Sequence, residues 1–453
     1  MDGVKLTTSA SWFTGKQRQY DTSVGFANMD RLWGNPGHLE YMSSALRDKH
    51  SEDSLHILVA TTNSNNNTYD GIEVGAERVT HETEKYIEDL ESKGTKIRKL
   101  SVVGYSLGGL VARYAIGLLY ARGWFDRLAP VNFTTFASPH LGVRAPVMGL
   151  QHRIWNILGS RTLSTSGRQL FTIDTFRDTK RPLLSLLADP SSIFMIALSR
   201  FPNRVLYANC INDRSAPYYT TSISTTDPFT NLDTINMNYL KDYEPIILDP
   251  THPITVKPPR KRPSFFTRLV GSSGTLLSQA PLFGLLVVLV PIGSFVFLVN
   301  SGIQSVRSQK RIRLHEEGKA GIGLGSYRIP LMAENARSAI EGAIENISSG
   351  PKLLPATYSK DQPPKRDSVP SQNGQLEKSD KQVNQIDGFA TLPLSSEQFE
   401  MVDALDKLGF KKYRVYIHDV RHSHAAIIVR MKRRAFEPGK TVVRHWLDEE
   451  FEI

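Results

Sequence analysis

"KLSVVGYSLGGLVARYAIGL", residues 99–118, sets a serine among glycines in an otherwise apolar run. Val102 and Val103 favour a strand directly before the turn. Leu110, Val111, Tyr114, Ala115, Leu118 and Leu119 recur at helical spacing after it. Gly104, Tyr105, Ser106, Leu107 and Gly108 spell G-x-S-x-G, the pattern of a nucleophile elbow. In such an elbow a strand ends in a sharp turn that holds one side chain in a strained conformation at the mouth of a helix. Small neighbours let the backbone close up around it. The pentapeptide alone also occurs by chance in Gly-rich loops, so its strand–turn–helix context carries the reading. If it is an elbow, the N–H of Leu107 and the positive end of the helix face the place where an oxyanion forms.

Outward from the elbow, βα alternation continues in both directions. "LHILVA" (55–60) reads as a buried strand, "TTNSNNNTYDG" as a loop and residues 72–90 as an amphipathic helix. "VNFTTFASPHLG" (131–142) is a second strand running into a loop, and "RVLYANCIND" (204–213) a third. The pattern predicts an α/β fold, a mostly parallel sheet covered by helices. Ser395 or Ser396 can cap a helix within "LPLSSEQFEMVDALDKLGF", and "YRVYIHDV" (413–420) then reads as a further strand.

At 453 residues, 40% hydrophobic and 9% aromatic, the chain can bury a large core. Its net charge of +10 could serve nucleic acid or an anionic membrane, and no zinc-finger, homeodomain or RNA-recognition signature is present. The basic residues instead crowd around an apolar stretch. "KPPRKRPSFFTR" (257–268) leads into a run with no charged residue between Arg268 and Arg307, and "RSQKRIR" (307–313) closes it. The densest part, "APLFGLLVVLVPIGSFVFLV" (280–299), has the length of a bilayer-crossing helix, interrupted by Gly284, Pro291 and Gly293. A single span, a bent hairpin in one leaflet and a buried core helix all fit. Membrane attachment is the expected outcome, and nucleic acid is not an expected partner.

The single cysteine, Cys210, excludes an intrachain disulfide, and the N-terminus lacks a signal-peptide pattern. The lone cysteine favours a catalytic part that faces the cytosol. The stretch 350–385 has a disordered composition of Pro, Ser, Lys and Gln, after a short helical piece near 333–347. The expected organisation is therefore an atypical N-terminal piece (1–31), a core part (32–250), the basic-flanked hydrophobic segment (251–313), a partly disordered linker (314–391) and a C-terminal part of the core (392–453).

A serine hydroxyl needs a histidine to take its proton and a carboxylate to orient that histidine. With this elbow the chain order is Ser, then acid, then His. Asp213, just past a strand in "NDRSAP", suits the acid, its alternative being a turn Asp that caps local N–H groups. His140 comes too early and reads as structural, and His252 sits beside prolines. His418, His422, His424 and His445 come late enough, and His424, just before the apolar "AAIIV", is favoured.

Together, "GYSLGGLVARYAIG", "FTTFASPHLGVR", "NCINDRSAPYYT" and "SHAAIIVR", with "LWGNPGHLEYM" and "YDGIEVGAERV", resemble the serine esterase family of formerly unknown function. That is an α/β-hydrolase group that includes fungal lipid-droplet phospholipases. The resemblance covers most of 32–250 and 392–447. It implies an α/β-hydrolase fold, a Ser106–Asp213–His424 triad and a glycerolipid or phospholipid acyl ester as substrate, with no metal or cofactor. It also implies a setting at a membrane, lipid droplet or endoplasmic reticulum. A dead scaffold at lipid surfaces, or an acyltransferase or thioesterase using the same triad, are the alternatives.

One departure stands out. Such esterases carry His-Gly at the end of an early apolar strand, before "LWGNP", where the backbone helps to form the oxyanion hole. Here Asp30 and Arg31 stand there, and "DTSVGFANM" (21–29) reads as too feeble for a central strand, with Gly25 and Asn28 interrupting it. Either activity has been lost, or the first residues reflect a gene model that has missed a coding segment. The abrupt break at Leu32 favours the second. The N–H of Leu32 is the expected second oxyanion donor.

Overall fold

The computed structural model of the protein describes residues 22–28, 36–146, 156, 164–258, 299, 302–319, 327–332 and 389–453. Its centre is a six-stranded parallel sheet. The strands are β1 (Thr22–Asn28), β2 (Leu55–Val59), β3 (Ile97–Tyr105), β4 (Ala129–Phe136), β5 (Asn203–Asn209) and β6 (Lys411–Val415). Their order is β2-β1-β3-β4-β5-β6. From β1 the chain steps to one side to make β2, then returns past β1 to make β3 and continues the other way. The order thus reverses between β1 and β3, and such a reversal opens a crevice at the carboxyl ends of the strands.

The strand at 22–28 corrects the expectation that no convincing central strand is present. Phe26 pairs with both Leu58 of β2 and Val102 of β3, and Asn28 pairs with Gly104. Gly25 and Asn28 lower its intrinsic preference, but a strand with parallel ladders on both sides is decided by its neighbours rather than by propensity. Its carboxyl end is thereby level with the elbow.

Alternation along the strands divides the interior into two layers. Val102 and Leu206 point to one face, while Val103 and Tyr207 point to the other. The first face is covered by α2 (Ile72–Ser92), α3 (Leu107–Ala121) and α4 (Ile193–Ser199). Every residue of α3 except Tyr120 is buried, so this helix is apolar all round rather than striped. The second face is covered by α1 (Glu40–Lys49) and residues from Tyr243 to Ile247 and from Ala425 onward, with Trp446 at its centre.

A helix over 302–316, here α5, begins at the end of the uncharged run and meets α2 through His315 and Glu77. Arg311, read from the sequence as part of a basic flank, is instead tied by Nη2 and Nε to both oxygens of the buried Asp70. The hydrophobic stretch 280–299 falls almost wholly outside the described residues, as do the short helical piece near 333–347 and the linker 350–385. Among the described residues no helix is long and apolar enough to cross a membrane.

After 389 the chain returns to the core. Ser395 caps α6 (Ser396–Asp406) by accepting from the N–H of Gln398, whose side chain accepts from the Ser395 N–H in return. The strand β6 then completes the sheet, and α7 (Ser423–Ala426) and α8 (Pro438–His445) follow.

Two histidines are buried as part of this core. His445 Nδ1 lies 2.7 Å from the Tyr207 hydroxyl, and burial drives its pKa from 6.5 down to about 4. Burial, with Arg113 and Lys412 adding to it, pushes His140 well below its ordinary value as well. In both, the fold holds the neutral ring while the unfolded chain takes up a proton near pH 6.5. The stability each contributes is therefore fully present above pH 6.5 and is lost as the pH falls, for His445 toward 4. For His445 this amounts to about 3 kcal/mol. Denaturant titrations at pH 7 and pH 4.5 are expected to show the loss, with a shallower dependence in His445→Gln.

Candidate active site

The carboxyl edge of a parallel sheet gathers the loops that follow every strand, and three of those loops carry the residues singled out by sequence. Ser106 follows β3, Asp213 follows β5 and His424 follows β6. Ser106 has φ 54° and ψ −129°, in the region that side chains avoid. Such strain persists only when surrounding contacts over-determine it. Here the Ser106 N–H donates to the Phe136 carbonyl at 2.9 Å. Its own carbonyl accepts from the Ser138 hydroxyl at 2.8 Å and from the Gly109 N–H at 3.1 Å.

Glycine is required here by close approach. A Cβ on Gly104 would lie 2.4 Å from the Gly109 Cα, and one on Gly109 would lie 2.2 Å from Ser138 Oγ. Gly109, one place beyond the pentapeptide, is thus the second glycine that lets the helix start against the strand. Gly109→Ala is expected to lower stability by about 1–3 kcal/mol through overpacking, measured by thermal unfolding. Gly302→Ala, in open space on α5, is expected to leave it unchanged or slightly raised.

Around the serine the three side chains form one hydrogen-bonded chain. His424 Nε2 lies 2.9 Å from Ser106 Oγ, and His424 Nδ1 lies 2.8 Å from Asp213 Oδ2. Ser106 is 6% exposed and His424 only 1%. Asp213 is satisfied on both oxygens. Oδ1 accepts from the N–H groups of Ser215 and Ala216 at 2.9 and 2.8 Å, and Oδ2 accepts from Asn209 Nδ2 at 3.0 Å. Burial by itself would raise this carboxyl. The imidazole beside it, together with the bonds from Ala216 and Asn209, overrides burial and holds it below the usual carboxylate range. An ionised Asp213 accepts the Nδ1 proton and so leaves Nε2 facing the serine as a lone-pair acceptor.

His424 is held from its backbone side as well. Its carbonyl accepts from the Tyr105 hydroxyl at 2.8 Å, and the preceding Ser423 donates from its hydroxyl to the Ile211 carbonyl. The loops of acid and base are thereby joined to each other and to β3. Tyr105, Ser138, Asn209, Gly109 and Ser423 were not singled out for these roles. All five lie within quoted stretches; the bonds of Tyr105, Ser138 and Ser423 cross 319, 32 and 212 positions and leave no local mark, whereas Asn209 reaches Asp213 four places on.

The other histidines separate as the sequence suggests. His140 is buried with Nε2 on Thr135 Oγ1, a structural role. His418 is exposed and pairs with Asp419, His422 is exposed, and His445 faces Tyr207 in the core. The N–H of Leu107 is the first of α3, and the leading N–H groups of a helix have no acceptor within it. Leu32, the expected second donor, lies outside the described residues, as do Asp30 and Arg31. The chain leaves β1 at Asn28, beside the elbow, and is described again from Pro36.

A parallel sheet with a strained serine, a histidine and a carboxylate at its carboxyl edge defines the arrangement of a serine hydrolase. Residues 29–226 match the model of a family described as "Putative serine esterase (DUF676)", a span that includes Ser106 and Asp213 and ends before His424. The chain is 38% identical over 146 residues to "Putative lipase ROG1" of Saccharomyces cerevisiae, covering 32% of this chain and 20% of that protein. It is 37% identical over 128 residues to "Putative lipase C4A8.10" of Schizosaccharomyces pombe, covering 27% and 16%. With "Putative lipase YDL109C" of Saccharomyces cerevisiae the values are 35% over 140 residues, 30% and 21%. The matched portion spans about a fifth of the length of these curated relatives.

Proposed function

We propose that the protein is a serine hydrolase of the α/β-hydrolase kind that cleaves acyl esters of glycerolipids or phospholipids at a membrane or lipid-droplet surface. The observation that carries the reading is the continuous Ser106–His424–Asp213 hydrogen-bonded chain at a serine held with φ 54°. The lipase names of the matched relatives support a lipid substrate.

In this reading Ser106 Oγ attacks the ester carbonyl while His424 Nε2 takes its proton. The imidazolium so formed is stabilised by Asp213, which keeps its negative charge. The carbonyl oxygen becomes an oxyanion that the Leu107 N–H and the positive end of α3 face, with the Leu32 N–H as second donor. The C–O bond to the alcohol then breaks, and His424 returns the proton to the leaving oxygen. Water attacks the acyl-Ser106 ester by the same steps in reverse roles, releasing the fatty acid and restoring the serine.

The test is release of fatty acid from dispersed phosphatidylcholine and diacylglycerol by the purified chain. Activity in the parent and none in Ser106→Ala is the expected result. Acyl transfer to an added alcohol without net fatty acid, or cleavage of thioesters alone, would replace the substrate class while keeping the triad. No turnover of any ester by a folded parent would overturn the reading.

A further inference from the structure

Helix α5 is built inside out. At 100° per residue, Gln304, Ser308, Arg311 and His315 share one side, and that side faces the protein. Ser308 donates to Asp70 Oδ1 at 2.7 Å, Arg311 reaches Asp70 and the Asn66 carbonyl, and His315 Nε2 lies 2.7 Å from Glu77 Oε2. Ser308, His315, Asp70 and Glu77 are all buried. The stripe opposite is apolar and open. Ile303, Val306 and Leu314 are exposed there, with Val306 at 69%. Of the eight exposed large apolar side chains among the described residues, three fall on this side of the helix and a fourth is Val299.

An ordinary surface helix buries apolar residues and exposes polar ones. The reverse arrangement is held by the inner side's contacts to Asp70, Asn66 and Glu77, and its apolar side gains nothing from water. The same outer side carries Arg307 and Lys310, both exposed, and Arg313, which pairs with Glu317 just past the helix; Glu316 sits to one side. Apolar side chains with interspersed cations suit the boundary between acyl chains and anionic headgroups. The position of α5 agrees with that use. Ser308 meets Tyr69 and Asp70 in the loop after β2, at the carboxyl edge that also carries Ser106. In sequence, the helix begins within the last residues of the uncharged run between Arg268 and Arg307.

We infer that the outer face of α5 is an interfacial docking surface for an anionic lipid membrane, lying in its plane and bringing the carboxyl edge of the sheet toward it. The inference rests on the lipid-surface reading above but not on catalysis. The inner face, through Arg311–Asp70 and His315–Glu77, fixes the helix to α2 and the loop before it, so that docking orients the core.

The experiment uses the full chain in a Ser106→Ala background, so that a failure of the hydrolase reading leaves it unaffected. Cys210 is buried, so a cysteine at Val306→Cys can be labelled selectively with an environment-sensitive fluorophore. A control label sits at Ser44→Cys, exposed on α1 and on the opposite face of the sheet. With vesicles of phosphatidylcholine and phosphatidylserine, the label at 306 is expected to shift to the blue and be quenched by lipid-borne quenchers, while the label at 44 is unchanged. Replacing Arg307 and Lys310 together by glutamine is expected to weaken partitioning about 30-fold. A water-like label at 306 overturns the inference, even if the protein sediments with vesicles through another segment. A blue shift that needs no vesicles and grows with protein concentration assigns the face to a second copy of the chain and overturns it equally.

Discussion

His424→Ala is expected to lower kcat on a short soluble ester by about a million-fold, to the same residual level as Ser106→Ala. Serine and histidine act as one unit, so removing either leaves only what the oxyanion donors and substrate binding supply. The double variant Ser106→Ala/His424→Ala should therefore be no worse than either single one. The geometry behind this is the 2.9 Å contact between Nε2 and Oγ, with both groups almost wholly shielded from water. Kinetics of the three variants, with circular dichroism to establish that each is folded, give the measurement. An additive double variant would mean that the two residues act separately.

Asp213→Asn carries the second large effect, about ten-thousand-fold in kcat with little change in KM. Asparagine preserves the volume, and its amide oxygen can still accept from Ser215 and Ala216. Its amide nitrogen, however, would donate toward His424 Nδ1 and force the ring proton onto Nε2, where it faces Ser106 and cannot take its proton. Asn209→Ala should cost far less, because Asp213 keeps its two backbone donors and the imidazole. Because the folded state holds the Asp213 carboxyl below its usual range, the stability it contributes is present above its unfolded pKa. That stability is lost as the pH falls through the lower folded value. The fall in stability between pH 6.5 and 4 accordingly belongs to the buried histidines and not to Asp213.

Features set by neighbours in sequence were legible in it. The elbow, its flanking strand and helix, and the cap at Ser395 each arise from residues within a few positions of one another. The choice of Asp213 and His424 came from chain order and from apolar runs that place them at the ends of strands. The hydrogen bonds that join them cross 211 and 318 positions and could not be read locally. The strand at 22–28 was underrated because its pairing with β2 and β3, rather than its composition, makes it a strand. "RSQKRIR" showed the opposite failure. Its charges read as one uniform flank, yet helical spacing turns Arg311 inward to Asp70 and leaves Arg307 and Lys310 outside. The pentapeptide ends at Gly108, so it carries no mark of Gly109, where only the packing against Ser138 demands a glycine.

The central claim is that Ser106 is an activated nucleophile, and a fluorophosphonate probe tests it most directly. The reagent phosphonylates a serine only where a base and oxyanion donors already act on it. The folded parent is expected to be labelled in a single position, mapped by mass spectrometry to Ser106, and Ser106→Ala is expected to remain unlabelled. A folded parent that takes up no probe, or a Ser106→Ala variant labelled as strongly as the parent, would contradict the account.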